Sequence, residues 1–155
     1  MSETRKIAVV GAGLGDTAIA FDPIAGQGAQ NISIQVAALV RAAAEHEGSF
    51  DADWITAQFD AHWESHGLGA TEVTRLFLGD EKYADHSGTL FPVAASDPAQ
   101  GGAAFFRLLS EPSLILGLQT ADDLNSYVEE ETGQTVETLV SRFSPAERFA
   151  ARSAG

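Results

Sequence analysis

A glycine-rich stretch near the N-terminus places the strictest limit on how this chain can fold. The stretch from Gly11 to Gly28 contains five glycines and Pro23, and a segment so rich in helix-breaking residues forms a loop rather than a helix of ordinary length. The apolar run at 7–10 ends at the first of these glycines, which is typical of a short strand buried on both faces. The sequence therefore predicts one strand followed by a glycine-rich loop.

The clearest helical pattern in the chain follows this loop. Apolar residues recur three and four positions apart, and this periodicity predicts a helix over about 30–46. The residues of this apolar stripe are Ile32, Val36, Leu39, Val40 and Ala43. Asn31 is placed to cap the start of the helix, and Gly48 is placed to end it.

Two more helices are predicted in the following forty residues. Asp51 or Asp53 can cap the first of them, and we expect the pair Gly67 and Gly69 to break it. Its expected inner face consists of Ile55, Phe59 and Trp63, and Trp54 is expected to join them in the core. A short helix follows, with Val73, Leu76 and Phe77 inward.

The last third of the chain is expected to be helical after one loop. The segment 85–96 lacks a helical period and is therefore expected to form a loop or short extended structure. Asp97 and Pro98 open a helix with Gln100 as the capping-box partner. Two further helices are expected to start at Thr120 and at Ser144, and Gly133 interrupts the first of them. The predicted fold is a single α-rich α/β domain over 1–155, with one short strand and a glycine-rich loop followed by about five or six helices.

Composition excludes several classes of partner and site. The chain has 155 residues with 45% hydrophobic residues, and 22 acidic against 9 basic residues give a net charge of -13. A polyanion cannot gain the counterion release that dominates nucleic-acid affinity, so we expect neither nucleic acid nor an acidic membrane surface as a partner. There are no cysteines, and thus no disulfides or thiolate metal sites. The short apolar stretch at the N-terminus does not resemble a signal peptide, and we expect a cytoplasmic protein.

The first glycine motif begins like a dinucleotide-binding fingerprint and then departs from it. Gly11 and Gly13 follow the predicted strand, where such glycines allow a tight turn and close approach to a pyrophosphate. The third glycine of the pattern is replaced by Asp16, and Pro23 interrupts the helix that should follow. A complete nucleotide-binding half is therefore not predicted.

A second motif overlaps the first and is more specific. Gly15 and Asp16 precede a segment that runs Asp-Pro-Ile-Ala-Gly-Gln-Gly-Ala-Gln-Asn over residues 22–31. A carboxylate at a strand end can accept hydrogen bonds from a polyol, and glycines let the main chain pass against a flat ring. A helix start then presents its N–H groups to developing negative charge.

These residues resemble the Gly-Asp motif of FAD-dependent aromatic-type monooxygenases. With the helical tail and the segment 143–148, the stretch 15–155 is similar to the C-terminal part of the epoxidase component of styrene and indole monooxygenases. The resemblance implies FAD as cofactor, a separate flavin reductase as partner and a small aromatic alkene as substrate. It implies flavin contacts at Gly11, Gly13, Gly15, Asp16, Pro23, Gly26, Gln27, Gly28, Ala29 and Asn31, with Asp16 as the ribityl ligand.

The chain departs from this family in one respect. The two glycine motifs abut near Gly13 to Gly15. In the family, the rest of the FAD-binding unit and the substrate-binding sheet lie between these motifs, and neither has a counterpart in this sequence. The expectation is a flavin-binding segment that is catalytically incomplete, and no catalytic residue is predicted. An acidic helical interaction module is the alternative. Apolar surface on the 30–46 helix, left without that sheet, favours a homo-oligomer.

One pair of histidines has the spacing of a two-histidine metal site. His62 and His66 are four residues apart in a predicted helix, which places both rings on one face. A third metal ligand at Asp60 or Glu64 would point to a different side of the helix. A surface or packing role is the preferred interpretation, and no metal is expected.

Overall fold

The computed structural model describes residue 14 and residues 19–141, and this part of the chain is helical. The α-rich class is confirmed. No strand occurs among these residues. The strand predicted at 7–10 and the helix predicted from Ser144 lie outside the described residues.

Seven α helices account for most of the described residues. They are α1 (Gln27–Glu45), α2 (Ala52–His62), α3 (Leu68–Phe77), α4 (Ala84–Ser96), α5 (Gly101–Ser110), α6 (Ala121–Thr132) and α7 (Val136–Ser141). A π-helical turn over Trp63–Gly67 joins α2 to α3. Short 3-10 turns span Pro23–Ala25, Glu81–Tyr83 and Pro112–Gly117.

Local capping chemistry starts and ends several of these helices where the sequence predicts. The Asp51 side chain accepts a hydrogen bond from the Trp54 N–H at 3.0 Å and begins α2. Thr120 and Asp123 form a capping box at the start of α6. Gly133 ends α6 with a φ of 68°, a left-handed conformation that glycine adopts without a Cβ clash.

The glycine pair after α2 does not break the helical path, and that prediction was wrong. The chain continues through the π turn into α3 across both Gly67 and Gly69. The reason is close packing, because a Cβ at Gly69 would lie 2.5 Å from the amide nitrogen of Ser113. Glycine at 69 therefore lets α3 cross the turn at Pro112–Gly117 at short range.

The segment 85–96 is the helix α4, although a loop was predicted there. Pro92 lies inside this helix, and His86, Leu90 and Val93 are buried. Their spacing of four and three residues is helical, but Gly88 and Pro92 obscure it in the sequence. Packing against α5 and α7 outweighs the single backbone hydrogen bond that a proline removes.

The next predicted start is shifted by a few residues. Asp97 accepts hydrogen bonds from the N–H groups of Ala99 and Gln100, both at 3.0 Å. Residues 98–100 form a turn, and α5 begins only at Gly101. The Gln100 side chain contacts the Gln134 side chain. Asp97 thus caps the turn and not the helix. The N-cap residue of α5 is Gln100, which makes no side-chain cap hydrogen bond, so the predicted capping box was wrong.

The hydrophobic core is formed mainly by α3 to α7 and the turns between them, and Ala25 before α1 also contributes. Its most buried side chains are Val73, Leu76, Tyr83, Leu90, Val93, Ala104, Leu108, Ile115, Leu124, Val128 and Leu139. None of the described residues of α1 or α2 belongs to this cluster. Trp54, Phe59 and Trp63 are only half-buried, so their prediction as core was wrong.

Helix α1 buries a polar face and exposes much of its predicted apolar stripe. Its buried residues are Gln27, Asn31 and Gln35, whereas Ile32, Val36 and Val40 are 38%, 38% and 63% exposed. The amide stripe has the same four-residue spacing as the aliphatic one. The neighbours that α1 meets supply carbonyl and imidazole groups, so hydrogen bonding decides which face turns inward.

Candidate functional site

The loop before α1 is a tight turn built from Asp22 to Gly26. The Asp22 side chain accepts a hydrogen bond from the Ile24 N–H at 3.0 Å, and Pro23 begins the 3-10 turn with its φ already restricted. The Gly26 N–H donates to the Pro23 carbonyl at 3.0 Å, and Gly26 has a φ of 65°. That left-handed conformation favours glycine and directs the chain into α1.

The first turn of α1 lacks the capping side chain and the acidic residue that usually compensate the positive end of a helix. Its N-cap residue is Gly26, which has no side chain to accept a hydrogen bond, and the first turn contains no acidic residue. Pro23, Gly26 and Ala29 are exposed, and Gly28 is half-buried. By contrast, α2 and α6 are capped by Asp51 and Thr120. The positive end of the α1 dipole is thus balanced by neither a cap side chain nor a first-turn acid.

Two glutamines anchor this helix start to α5. The Gln27 side-chain Nε2 donates to the Leu109 carbonyl at 3.2 Å, and the Gln30 Nε2 donates to the Ser110 carbonyl at 2.7 Å. Gln27 is 1% exposed, and its side chain faces the protein interior. These contacts join α1 to the last turn of α5, and leave main chain on the outer side of the helix start.

Asn31 and two histidines form a buried polar cluster one turn further along α1. The His62 Nε2 donates to the Asn31 Oδ1 at 2.8 Å. The rings of His62 and His66 stack with centroids 5.8 Å apart. Burial lowers the pKa of His62; burial and the neighbouring His62 lower the pKa of His66. Both rings are therefore held neutral near pH 7.

The predicted flavin-contacting residues divide into three groups. Gly11, Gly13, Gly15 and Asp16 lie outside the described residues. Pro23, Gly26, Gly28 and Ala29 lie together at the turn and the start of α1. Gln27 and Asn31 share that helix start, but their side chains are buried against α5 and α2.

The polar cluster behind this helix start was not predicted from the sequence. Asn31 was predicted to cap α1, but the helix begins four residues earlier, at Gln27, and Asn31 pairs with His62. The available signal was the spacing of Gln27, Asn31 and Gln35, which repeats every four residues. An amide stripe of this kind indicates a helix face that meets hydrogen-bonding groups.

Two further kinds of site are absent from the part of the chain that the structure describes. No group of three or more His, Asp or Glu residues there could hold a metal ion. Within residues 19–141, none of the helices combines the length and the apolar character needed to cross a membrane.

Comparisons with known proteins give no family for this chain. No protein-family model matches it, and neither the curated proteins nor the solved structures contain a significant match.

Proposed function

We propose that this chain is a flavin-contacting segment of the two-component styrene and indole monooxygenase type, catalytically incomplete by itself. The observation that carries the proposal is the start of α1. There an exposed glycine-rich turn leads into a helix whose N-cap is glycine and whose first turn contains no acid. This arrangement suits an external group with an electron-rich edge.

Each part of the motif has a role in this proposal. The N–H groups of Gln27, Gly28 and Ala29 face the pyrimidine edge of the flavin, where negative charge develops on reduction. Gly26 keeps the space beside the ring free of a Cβ, and Pro23 lines the ring edge. Asp16 accepts hydrogen bonds from the ribityl hydroxyls.

Gln27 and Asn31 act as positioning residues in this proposal. Their side chains point away from the exposed turn and make hydrogen bonds to Leu109 and His62. These bonds hold the first two turns of α1 in place, so that the main chain is preorganised for the ring. The flavin itself supplies oxygen-transfer chemistry when it is bound reduced, and a separate reductase supplies the reduced flavin.

Flavin titration tests the proposal directly. We expect the chain to bind FAD weakly, with a dissociation constant of about 0.1–1 mM, because only the ring and ribityl end find contacts. Riboflavin should bind within about threefold of FAD, since no adenosine site is proposed. Flavin fluorescence and calorimetry measure both affinities. Absence of flavin binding, or FAD binding more than about tenfold tighter than riboflavin, would contradict the proposal.

A pair of matched variants locates the binding site on α1. Ala29→Glu places a carboxylate in the exposed first turn, and should weaken binding of reduced FAD at least about tenfold by charge repulsion. Ala37→Glu adds the same charge at an exposed position two turns further along α1 and should leave binding unchanged. Asp16→Ala should also weaken binding. Equal affinities for the two glutamate variants would place flavin elsewhere.

A non-catalytic interaction module is the second candidate. It is favoured by the aliphatic side chains that α1 exposes, because contiguous exposed apolar surface marks interaction sites. Ile32, Val36 and Val40 form one stripe along the helix, each at least 38% exposed. This candidate requires no flavin affinity, so the titration separates the two functions.

A further inference from the structure

A cavity lies between α1 and α2, beyond the helix start that the flavin proposal concerns. Its volume is about 430 Å³, within the range of pockets that hold small molecules. Leu39 lies on α1 three turns after Gly28, which corresponds to roughly 16 Å along the axis. The cavity thus lies mostly beyond the turn at Gly26, and Leu14, which lies between Gly13 and Gly15 in the sequence, also lines it.

The described residues that line the cavity carry no charge, and they combine six apolar side chains with the polar side chains of Gln35, Thr56, Gln58, His62 and Ser65. Apolar walls are formed by Leu39 on α1 and by Ile55 and Phe59 on α2, with Ala38 at an exposed rim. No Lys, Arg, Asp or Glu is among the described lining residues. A charged ligand would lose its hydration without gaining a counterion, so the cavity favours an uncharged ligand.

Among the polar side chains that line the cavity, His62 is a hydrogen-bond acceptor whose orientation is fixed. It lines the cavity, is 4% exposed, and donates through Nε2 to the Asn31 Oδ1 at 2.8 Å. Since a carbonyl oxygen only accepts, the proton of the neutral ring is on Nε2, and Nδ1 is an acceptor. Within the described residues no hydrogen bond reaches Nδ1, and the bond to Asn31 fixes the ring orientation.

We propose that this cavity binds a small uncharged phenol, with its ring against Leu39, Ile55 and Phe59 and its hydroxyl donating to the Nδ1 of His62. Aromatic pairs gain stabilisation beyond their buried area, and Phe59 supplies the partner ring. A buried acceptor discriminates strongly for ligands that carry a donor, because an apolar analogue leaves the acceptor unpaired.

Two matched tryptophan variants test the site with 4-ethylphenol as the probe. Calorimetry on the full chain should show saturable binding, at least about fivefold tighter than binding of ethylbenzene, which lacks the hydroxyl. Ala38→Trp fills the mouth of the cavity and should abolish binding. Ala37 is also exposed but does not line the cavity, so the Ala37→Trp variant should bind 4-ethylphenol as the wild type does. No binding by the wild type, or equal binding by both variants, would overturn the proposal.

A third variant tests the acceptor. His62→Phe keeps a ring of similar size and removes Nδ1, so affinity for 4-ethylphenol should fall to that for ethylbenzene. Circular dichroism establishes that the variant is folded; if it is not, the same comparison is made with His62→Leu, which also lacks an acceptor. A folded variant that keeps the wild-type preference for the phenol would exclude His62 as the acceptor. Because neither probe contains a flavin, failure here is distinct from failure of the flavin proposal.

Discussion

Glu72 is the most strongly perturbed carboxylate among the described residues and illustrates how single residues stabilise this fold. It is 7% exposed and accepts hydrogen bonds from Arg75, Lys82 and the Tyr83 hydroxyl. Burial by itself raises the pKa of Glu72, but the hydrogen bonds from Lys82, Tyr83 and Arg75 outweigh it and lower the pKa to about 2. The cluster joins α3 to the turn at Glu81–Tyr83.

Removing this carboxylate should destabilise the protein and change its response to acid. Glu72→Gln should lower the free energy of unfolding by about 2 kcal/mol at pH 7, because the ion pairs with Arg75 and Lys82 are lost. The loss is limited because Arg75 and Lys82 are partly solvated and recover some hydration. Glu81→Gln, at an exposed position nearby, should change it by less than about 0.5 kcal/mol. Urea unfolding of both variants measures the difference, and equal values would argue against the cluster as a stabilising feature.

The pH dependence follows from the direction of the shift. The folded-state pKa of Glu72 is about 2 and its ordinary value is 4.5, so the unfolded chain binds the proton first as pH falls. The stabilisation is complete above pH 4.5 and is lost as pH falls towards 2. Acid titrations of stability should show a shallower loss in this window for Glu72→Gln than for the wild type.

At the scale of elements, glycines have opposite roles in different helices. Gly69 allows α3 to touch the backbone of Pro112 and Ser113, whereas a Cβ at Gly88 in α4 would have no atom within 4 Å. The same substitution therefore has opposite consequences at the two positions. The sequence alone does not distinguish them, because both glycines interrupt a helical pattern in the same way.

Two alanine substitutions measure this difference. Gly69→Ala should destabilise the protein by about 2–3 kcal/mol, because backbone atoms on the facing turn must move. Gly88→Ala should stabilise it by about 0.5–1 kcal/mol through the higher helix propensity of alanine. Thermal and urea unfolding compare the two variants. A neutral Gly69→Ala would show that α3 and the turn are not in close contact.

At the scale of the whole molecule, the described helices form a core in α3 to α7 and a pair, α1 and α2, attached largely through polar contacts. The hydrogen bonds of Gln27, Gln30 and Asn31 tie α1 to α5 and α2. The aliphatic stripe of α1 remains exposed on the outside. Such a surface favours self-association, because contact between two copies removes apolar area from water.

Light scattering after size exclusion tests self-association through α1. We expect the wild type to form dimers or larger species as concentration rises, and Val36→Glu to shift it towards monomer by placing a charge at the centre of the stripe. Leu78→Glu, another exposed aliphatic residue at 56% exposure, serves as the control and should leave association unchanged. A wild type that remains monomeric at high concentration would contradict the expected homo-oligomer.

Several features of this protein follow from residues within four positions of each other. The caps at Asp51 and Thr120, the end of α6 at Gly133 and the helical character of α1 and α3 were all predictable. Each depends on a hydrogen bond or a backbone preference within one turn, so the neighbouring residues are enough to predict it. The glycine turn before α1 belongs to the same group, since proline and glycine set its dihedrals locally.

Features that depend on residues far apart in the chain follow from how the helices pack together. The buried face of α1 is polar because carbonyl groups of α5 and the His62 ring, 31 residues after Asn31, meet it there. The segment 85–96 is helical because its neighbours bury Leu90 and Val93, and Gly69 is needed because another backbone crosses α3. Periodicity shows that a helix has two faces. Which face is buried depends on the partners that folding brings to it.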